Sequence, residues 1–298
     1  MIANNNRAGE VLAPSELILN EDGSIFHLKL YPHQIAHDII VVGDQNRVEL
    51  ISSFFDKIEV QVSNREFCTH TGWYNEKRIT AVSSGIGVDN IDIVINELDA
   101  LVNIDLETRK VKETITSLNI VRIGTCGALQ PEIEPGEFIL SQYGFGMDGM
   151  LNYYNLDFEE EEIELSRALT SHLKMDEFGI TPYLAKADQS LVDKIGEGMH
   201  HGITATASGF YAPQGRALRL KVALPEQNDL LETFIFKGKK VQNFEMETSA
   251  IFGLGGALSH KCCTVCVAVA NRPLKKALTT YKPKIQELIG VVLGRLTS

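Results

Sequence analysis

Basic residues are outnumbered in this sequence: 28 lysines and arginines stand against 39 aspartates and glutamates, a formal net charge of -11. A protein that grips a nucleic-acid polyanion needs a cationic face to displace counterions, so this balance excludes nucleic acid as a partner. A small anionic substrate would need a local cationic pocket. Missing too is any apolar run approaching the roughly 20 residues that cross a bilayer, which excludes a helical membrane anchor. Residues 1–22 are polar and acidic, without a basic start followed by an apolar stretch, so no secretory signal is expected and a cytoplasmic location is. Cysteine is scarce and odd in number, five in the whole chain, which excludes a fully paired disulfide framework and fits a reducing compartment. No linker rich in Pro, Gly or Ser and no internal repeat divides the chain, so one domain is expected.

What is present is an alternation of short β-branched runs with longer helical patterns, the mark of an α/β sheet covered by helices. Strands are expected at Asp38 to Val42, Arg78 to Ser83, Ile120 to Ile123, Glu137 to Leu140, Gly202 to Ala207 and Cys263 to Ala270. Lys57 to Ser63 and Arg65 to Thr71 add two more and make the sheet mixed. Apolar positions recur at three and four residues in Arg47 to Phe55, Asp89 to Val102, Ile163 to Leu173, Met246 to Leu258 and Lys284 to Leu296, which are the expected helices. The charged stretch Asn103 to Asn119 reads as an extra surface helix, and Glu159 to Glu162 as the acidic start of one. Residues 1–24 read as an appended arm.

Five junctions carry residues with chemical capability. Val42-Gly43-Asp44-Gln45-Asn46-Arg47 runs from a strand into a glycine turn, where backbone amides and Arg47 could receive an anion. Ser84-Gly85-Ile86-Gly87-Val88-Asp89-Asn90 leads to a helix capped by Asp89 or Asn90, and it lacks the third glycine of a dinucleotide fingerprint. Arg122-Ile123-Gly124-Thr125-Cys126-Gly127 puts an arginine on a buried strand, where it needs an anion or a carboxylate. Cys126 has no accompanying His-Asp pattern and reads as a structural thiol; Cys262, Cys263 and Cys266, with His260 beside them, lack a second ligand pair and read as part of a buried strand. Phe210-Tyr211-Ala212-Pro213-Gln214-Gly215-Arg216 offers an amide and a guanidinium fork, complements for an imide edge. In Asn243-Phe244-Glu245-Met246-Glu247 an acidic pair enters an apolar helix, either as a cap or as a bidentate acceptor of a sugar diol.

Taken in order, and joined by Phe26-His27-Leu28 and Arg65-Glu66-Phe67, these segments resemble the uridine phosphorylase branch of the nucleoside phosphorylase-I superfamily from Ile25 onward. The resemblance implies one α/β domain over residues 25–298 with a central mixed, partly barrel-like sheet flanked by helices. It implies a pentosyltransferase that cleaves uridine, with deoxyuridine and thymidine as further candidates, using inorganic phosphate as co-substrate and no cofactor. Gly43, Arg47, Arg122 and Thr125 match the phosphate site, and Arg65 matches an arginine reaching that phosphate from the neighbouring subunit. Met246 and Glu247 match ribose contacts, His27 a residue lent across the dimer to the 5′ hydroxyl, Gln214 and Arg216 the pair holding uracil, and Phe210 the ring against the base. Arg122, Arg216 and Glu247 are thus the expected catalytic set. Homodimers with shared sites, assembled as a homohexamer, are implied as well, and a monovalent cation such as K+ at Glu66, Ile86 and Asn90.

Purine-cleaving relatives carry an aspartate where this chain has Asn271, which favours uracil over purine. Departures from the family pattern are Gln45 in place of proline, Cys126 in place of threonine or serine, and Asn90 in place of serine. The remaining alternatives are a purine phosphorylase or hydrolytic nucleosidase of the same fold, and a non-catalytic nucleoside sensor.

Overall fold

A computed structural model describes the backbone of residues 2–3 and 7–298. Among the described residues, strands of four or more residues are β1 (Asp38–Val42), β2 (Lys57–Asn64), β3 (Phe67–Tyr74), β4 (Lys77–Ser83), β5 (Asn119–Ala128), β6 (Phe138–Gly146), β7 (Tyr183–Lys186), β8 (His200–Thr206), β9 (Lys239–Glu245) and β10 (Lys261–Asn271). The helices are α1 (Gln45–Ser52), α2 (Val88–Asn103), α3 (Glu160–His172), α4 (Gln189–Ile195), α5 (Gln227–Thr233), α6 (Thr248–Ala257) and α7 (Lys282–Thr297). None is long and apolar enough to cross a membrane.

The strands pair in the order β9-β8-β6-β10-β5-β1-β4-β3-β2. β9 also pairs with β5, Asn243 facing Ala128 and Phe244 facing Gly127, so β5, β6, β8, β9 and β10 close into a barrel. Closure removes the sheet edges that those strands would otherwise expose. β1, β4, β5 and β10 run parallel to their neighbours in that row, whereas β10 against β6 and the hairpins β2-β3-β4 are antiparallel. The sheet is therefore mixed, as expected. β1, Asp-Ile-Ile-Val-Val, is buried along its whole length, the pattern of a strand covered on both faces. One core joins this part of the sheet to α2 and α7 through residues such as Ile39, Ile120, Leu98, Leu288 and Val292. A second, with Phe145, Leu165, Leu169, Ile203 and Phe244, lies under α3.

Several boundaries depart from the sequence reading, each for a physical reason. β5 runs on through Gly-Thr-Cys-Gly-Ala because β10 pairs with it residue by residue from Lys261↔Asn119 to Asn271↔Ala128, and neighbour pairing overrides weak strand propensity. β9 went unread as a strand: the chain stays extended to Glu245, and α6 begins only at Thr248. α2 starts at Val88 behind Gly87, whose φ of 95° suits glycine, so Asp89 and Asn90 sit inside the first turn and neither is the cap. Asn103 to Asn119 is not a helix. Ile104–Asp105 pairs with Lys110–Val111 around a turn in which the Asp105 carboxylate accepts from the backbone amides of Glu107 and Thr108, both at 3.0 Å; such local bonds compete with helix formation. Arm residues pack on this hairpin, with Gly9 N donating to Val111 O and Leu12 N to Arg109 O, both at 2.9 Å. Glu159 does open α3, its side chain and that of Glu162 forming a reciprocal cap.

Close approach explains Gly144 on β6: a Cβ there would lie 2.7 Å from Cα of Ser249 in the first turn of α6. Gly144→Ala should cost about 1–3 kcal/mol of stability through overpacking. Urea or thermal unfolding measures it, and an unchanged midpoint would contradict the seating of α6 on β6.

Candidate active site

One cavity of about 990 Å3 gathers most of the sequence-identified residues. Gly43 arrives on the turn after β1 and Arg47 on α1, Glu66 and Ile86 from the turns beside β3 and β4, Asn90 from the first turn of α2, and Arg122 and Thr125 from the middle of β5. Phe210, Gln214 and Arg216 come from the long segment after β8, and Met246 and Glu247 from the short link between β9 and α6. Asp44 caps α1 by accepting from Asn46 N at 3.0 Å, which holds the Gly43 turn and the first turn of α1 at the rim.

Arg122 lies on the cavity wall although it is almost fully buried, 5% exposed. Its Nη1 is 3.1 Å from Glu245 Oε2, and its Nη2 makes a short contact with Glu247 Oε2. Nη1 also reaches the Cys266 sulfur at 3.3 Å. Burial opposes the charge, but the carboxylates of Glu247 and Glu245 outweigh it and hold the guanidinium above its already high ordinary pKa. Glu247 is pushed up from the usual carboxylate range, first by burial and against the pull of Arg122. Its other oxygen accepts Gly87 N at 2.9 Å, tying the second glycine turn to the same cluster. Space for the guanidinium comes from Gly124, where a Cβ would lie 2.2 Å from Arg122 Nη1.

At the other end of the cavity Gln214, 3% exposed, accepts from Arg216 Nη1 through its side-chain oxygen at 2.6 Å. Arg216 also donates to Phe210 O at 2.6 Å and lies 4.0 Å above the Phe210 ring. Burial, and then the charge of Arg272, lower the Arg216 pKa from its ordinary value, yet a guanidinium stays protonated. Gln214 and Arg216 are thus held side by side and pre-oriented, which lowers the entropic cost of binding a planar ligand.

Asn271 is turned elsewhere. Its Nδ2 donates to Gln130 O at 2.8 Å and Ile133 O at 2.7 Å, and its Oδ1 accepts Leu274 N at 2.8 Å. Both amide hydrogens are spent on backbone carbonyls, so it stands as a loop clasp and not as a proton donor. The Cys126 thiol is raised by burial, as are those of Cys262 and Cys263, and all five cysteines are buried and free. No cluster of three or more His, Cys, Asp or Glu suited to a metal occurs among the described residues.

Two sequence-identified residues lie off the cavity. Arg65 stacks on Phe26 at 5.7 Å, and the Phe26 ring meets His27 edge-on at 4.8 Å; His27 Nδ1 is bonded to Glu97 at 2.7 Å. Both side chains are therefore grouped around Phe26 outside the cavity lining, although Arg65 adjoins its rim, where Gln45 Nε2 donates to Arg65 O at 2.7 Å. Tyr281 went unread: it lines the cavity from the start of α7, with Arg47 6.0 Å over its ring. No spacing signal in the sequence marked it.

The family model described as the phosphorylase superfamily matches residues 38–287. The uridine phosphorylase of Thermococcus kodakarensis is 29% identical over 88% of this chain and 83% of that protein. That of Escherichia coli is 28% identical over 83% of this chain and 86% of its own length. Among solved structures, a Trypanosoma brucei nucleoside phosphorylase described as having uridine phosphorylase activity superposes with a TM-score of 0.85 and 30% identity, covering 94% of this chain and 99% of that one.

Arg122→Met, which keeps the bulk of the side chain, should destabilise the fold by about 3–5 kcal/mol, because it strands two buried carboxylates. The loss should shrink as pH falls and the Glu247 carboxyl, already pushed up by burial, protonates. Chemical denaturation at pH 5 and pH 8 measures this, and equal stability to the wild type at pH 8 would refute the ion-pair account.

Proposed function

The chain belongs to the phosphorylase superfamily, and within it we propose a uridine phosphorylase that reversibly converts uridine and inorganic phosphate into uracil and ribose 1-phosphate. Deoxyuridine and thymidine are further candidates for the same pocket. What carries this reading is the coexistence, in one cavity, of a buried arginine between carboxylates and a pre-bonded Gln214–Arg216 pair beside an aromatic ring.

Phosphorolysis asks for an anion below the sugar, positive character at the sugar, and an anionic base leaving above. In this reading Arg47, Arg122, Thr125 and the backbone at Gly43 receive phosphate. Glu247, with one protein donor on each oxygen, has acceptor capacity left for the 2′ and 3′ hydroxyls, and Met246 packs against the sugar. Uracil presents carbonyl and N3–H groups to Gln214 and Arg216, with Phe210 on its face. Negative charge builds on the base as the glycosidic bond breaks, so the Arg216 interaction strengthens in the transition state and contributes to rate. Confinement of the two reactants supplies on the order of 7–11 kcal/mol. Water is a poor substitute in a cleft whose cationic side chains suit a dianion, which favours phosphorolysis over hydrolysis. Asn271, spent on backbone carbonyls, supports pyrimidine over purine.

Arg65 and His27 would serve the cleft of a neighbouring subunit. Their grouping around Phe26, with neither side chain in the lining of their own cavity, supports that reading, and homodimers with shared sites, assembled as a homohexamer, are proposed with it. A monovalent cation at Glu66, Ile86 and Asn90 fits poorly: the Asn90 amide nitrogen faces Ile86 O at 3.4 Å, so the carbonyl already meets a donor, and no step involves such an ion. Action in the cytoplasm belongs to the same reading, and five free cysteines suit a reducing compartment.

Uracil release from uridine should depend on added phosphate, measured by the absorbance difference between uridine and uracil or by chromatography; equal release in phosphate-free buffer would reject phosphorolysis. Gln214→Ala and Arg216→Ala should fold normally and each lose roughly tenfold to a hundredfold in kcat/KM for uridine, the worth of a charged hydrogen bond. Wild-type kinetics in both variants would remove the base-site assignment.

A further inference from the structure

Resting on the phosphorolysis reading, we propose that Glu245 is a positioning residue that anchors the Arg122 guanidinium while phosphate competes with Glu247 for it. Glu245 is 4% exposed and its two oxygens are saturated. Oε1 accepts Thr206 Oγ1 at 2.8 Å and Thr248 N at 3.1 Å, while Oε2 accepts Glu247 N and Thr248 N, both at 3.0 Å, and faces Arg122 Nη1 at 3.1 Å. A carboxylate offers about four lone-pair sites, so nothing is left on Glu245 for a sugar hydroxyl. It acts through Arg122.

The neighbouring carboxylate differs. Glu247 receives Gly87 N on one oxygen and Arg122 Nη2 on the other. Nη2 spends one of its two hydrogens on Glu247, and Nε has no partner among the described residues, so a phosphate drawn to these free donors competes with Glu247 for the direction of that arm of the fork. A buried guanidinium that let go of both carboxylates at once would lose its only charge partners. Glu245 prevents this by keeping Nη1, so that the second arm can turn about a held pivot. Thr206 carries the constraint into the barrel: its hydroxyl donates to Glu245 and accepts Ser249 N at 3.0 Å, linking β8, β9 and the start of α6.

The test is steady-state kinetics with each substrate varied, beside thermal unfolding. Glu245→Gln, which puts a donor amide among these donors, should raise the phosphate KM roughly tenfold or more while the uridine KM moves far less. Glu245→Asp, which restores the charge one methylene short, should recover part of the phosphate KM. A role in capping α6 alone lowers the unfolding midpoint and leaves both KM values in their wild-type ratio, and that result overturns the proposal. Should Glu245→Gln fail to fold, Thr206→Val removes one donor from the Glu245 carboxylate without touching Arg122. A selective rise in its phosphate KM supports the proposal, and an unchanged phosphate KM overturns it. Wild-type uracil release without phosphate would instead overturn the reading on which the proposal rests.

Discussion

A guanidinium buried between two carboxylates is the constraint on which the rest of this site depends. Arg122 sits on the strand shared by the closed barrel and the open part of the sheet, and its partners come from the end of β9 across the closing seam and from the link that follows it. Removing one cation and two anions from water is costly, and only short, well-directed contacts offset it. The fold supplies them by bringing β5, β9, the Gly87 turn and the first turn of α6 to one point. The small residue at 124 is part of the same arrangement, because the guanidinium lies across its Cα.

The two ends of the cavity are built on different principles. The Arg122 end is built on strands and the links beside them, with the Glu245 carboxylate held by several neighbours. The Gln214–Arg216 end is carried by a long connection between β8 and α5, and its order comes from bonds within that connection: Arg216 to the Gln214 side chain, to Phe210 O and over the Phe210 ring. A scaffold that fixes the charged centre while a loop presents the planar donors is a common division between catalysis and recognition. Phe210 remains 51% exposed, an apolar ring left available to a ligand face. The cleft thereby joins a charge-holding floor to an adaptable mouth.

Cations at the site come at a price in an acidic protein, and the structure limits it by pairing. Around Arg122 the two carboxylates leave the cluster net negative, so a dianion needs additional positive charge from Arg47 and, on the proposed reading, from a neighbour's Arg65. Tyr281 contributes to this end by lying under Arg47, where an aromatic face favours the guanidinium without adding negative charge. The overall excess of acidic side chains lies mostly on the surface and does not oppose anion binding in a confined, partly desolvated cleft.

The sequence by itself determined the class of fold and singled out nine residues that line one cavity. The alternation of β-branched runs with helical periods marks α/β structure, and Gly43, Arg47, Arg122, Thr125, Phe210, Gln214, Arg216, Met246 and Glu247, written far apart, do meet in one cavity. The demand of a buried arginine for a carboxylate was legible at Arg122. Which carboxylates answer it was not, because Glu245 and Glu247 are brought there by the β9–β5 seam, and long-range pairing leaves no trace in local periodicity. For the same reason the strand before Glu245, the extension of β5 through glycines, the hairpin at 104–111 and the place of Tyr281 were decided only by tertiary structure: each depends on a neighbour distant in the chain, whose hydrogen bonds and packing outweigh the weak preference of the residues themselves.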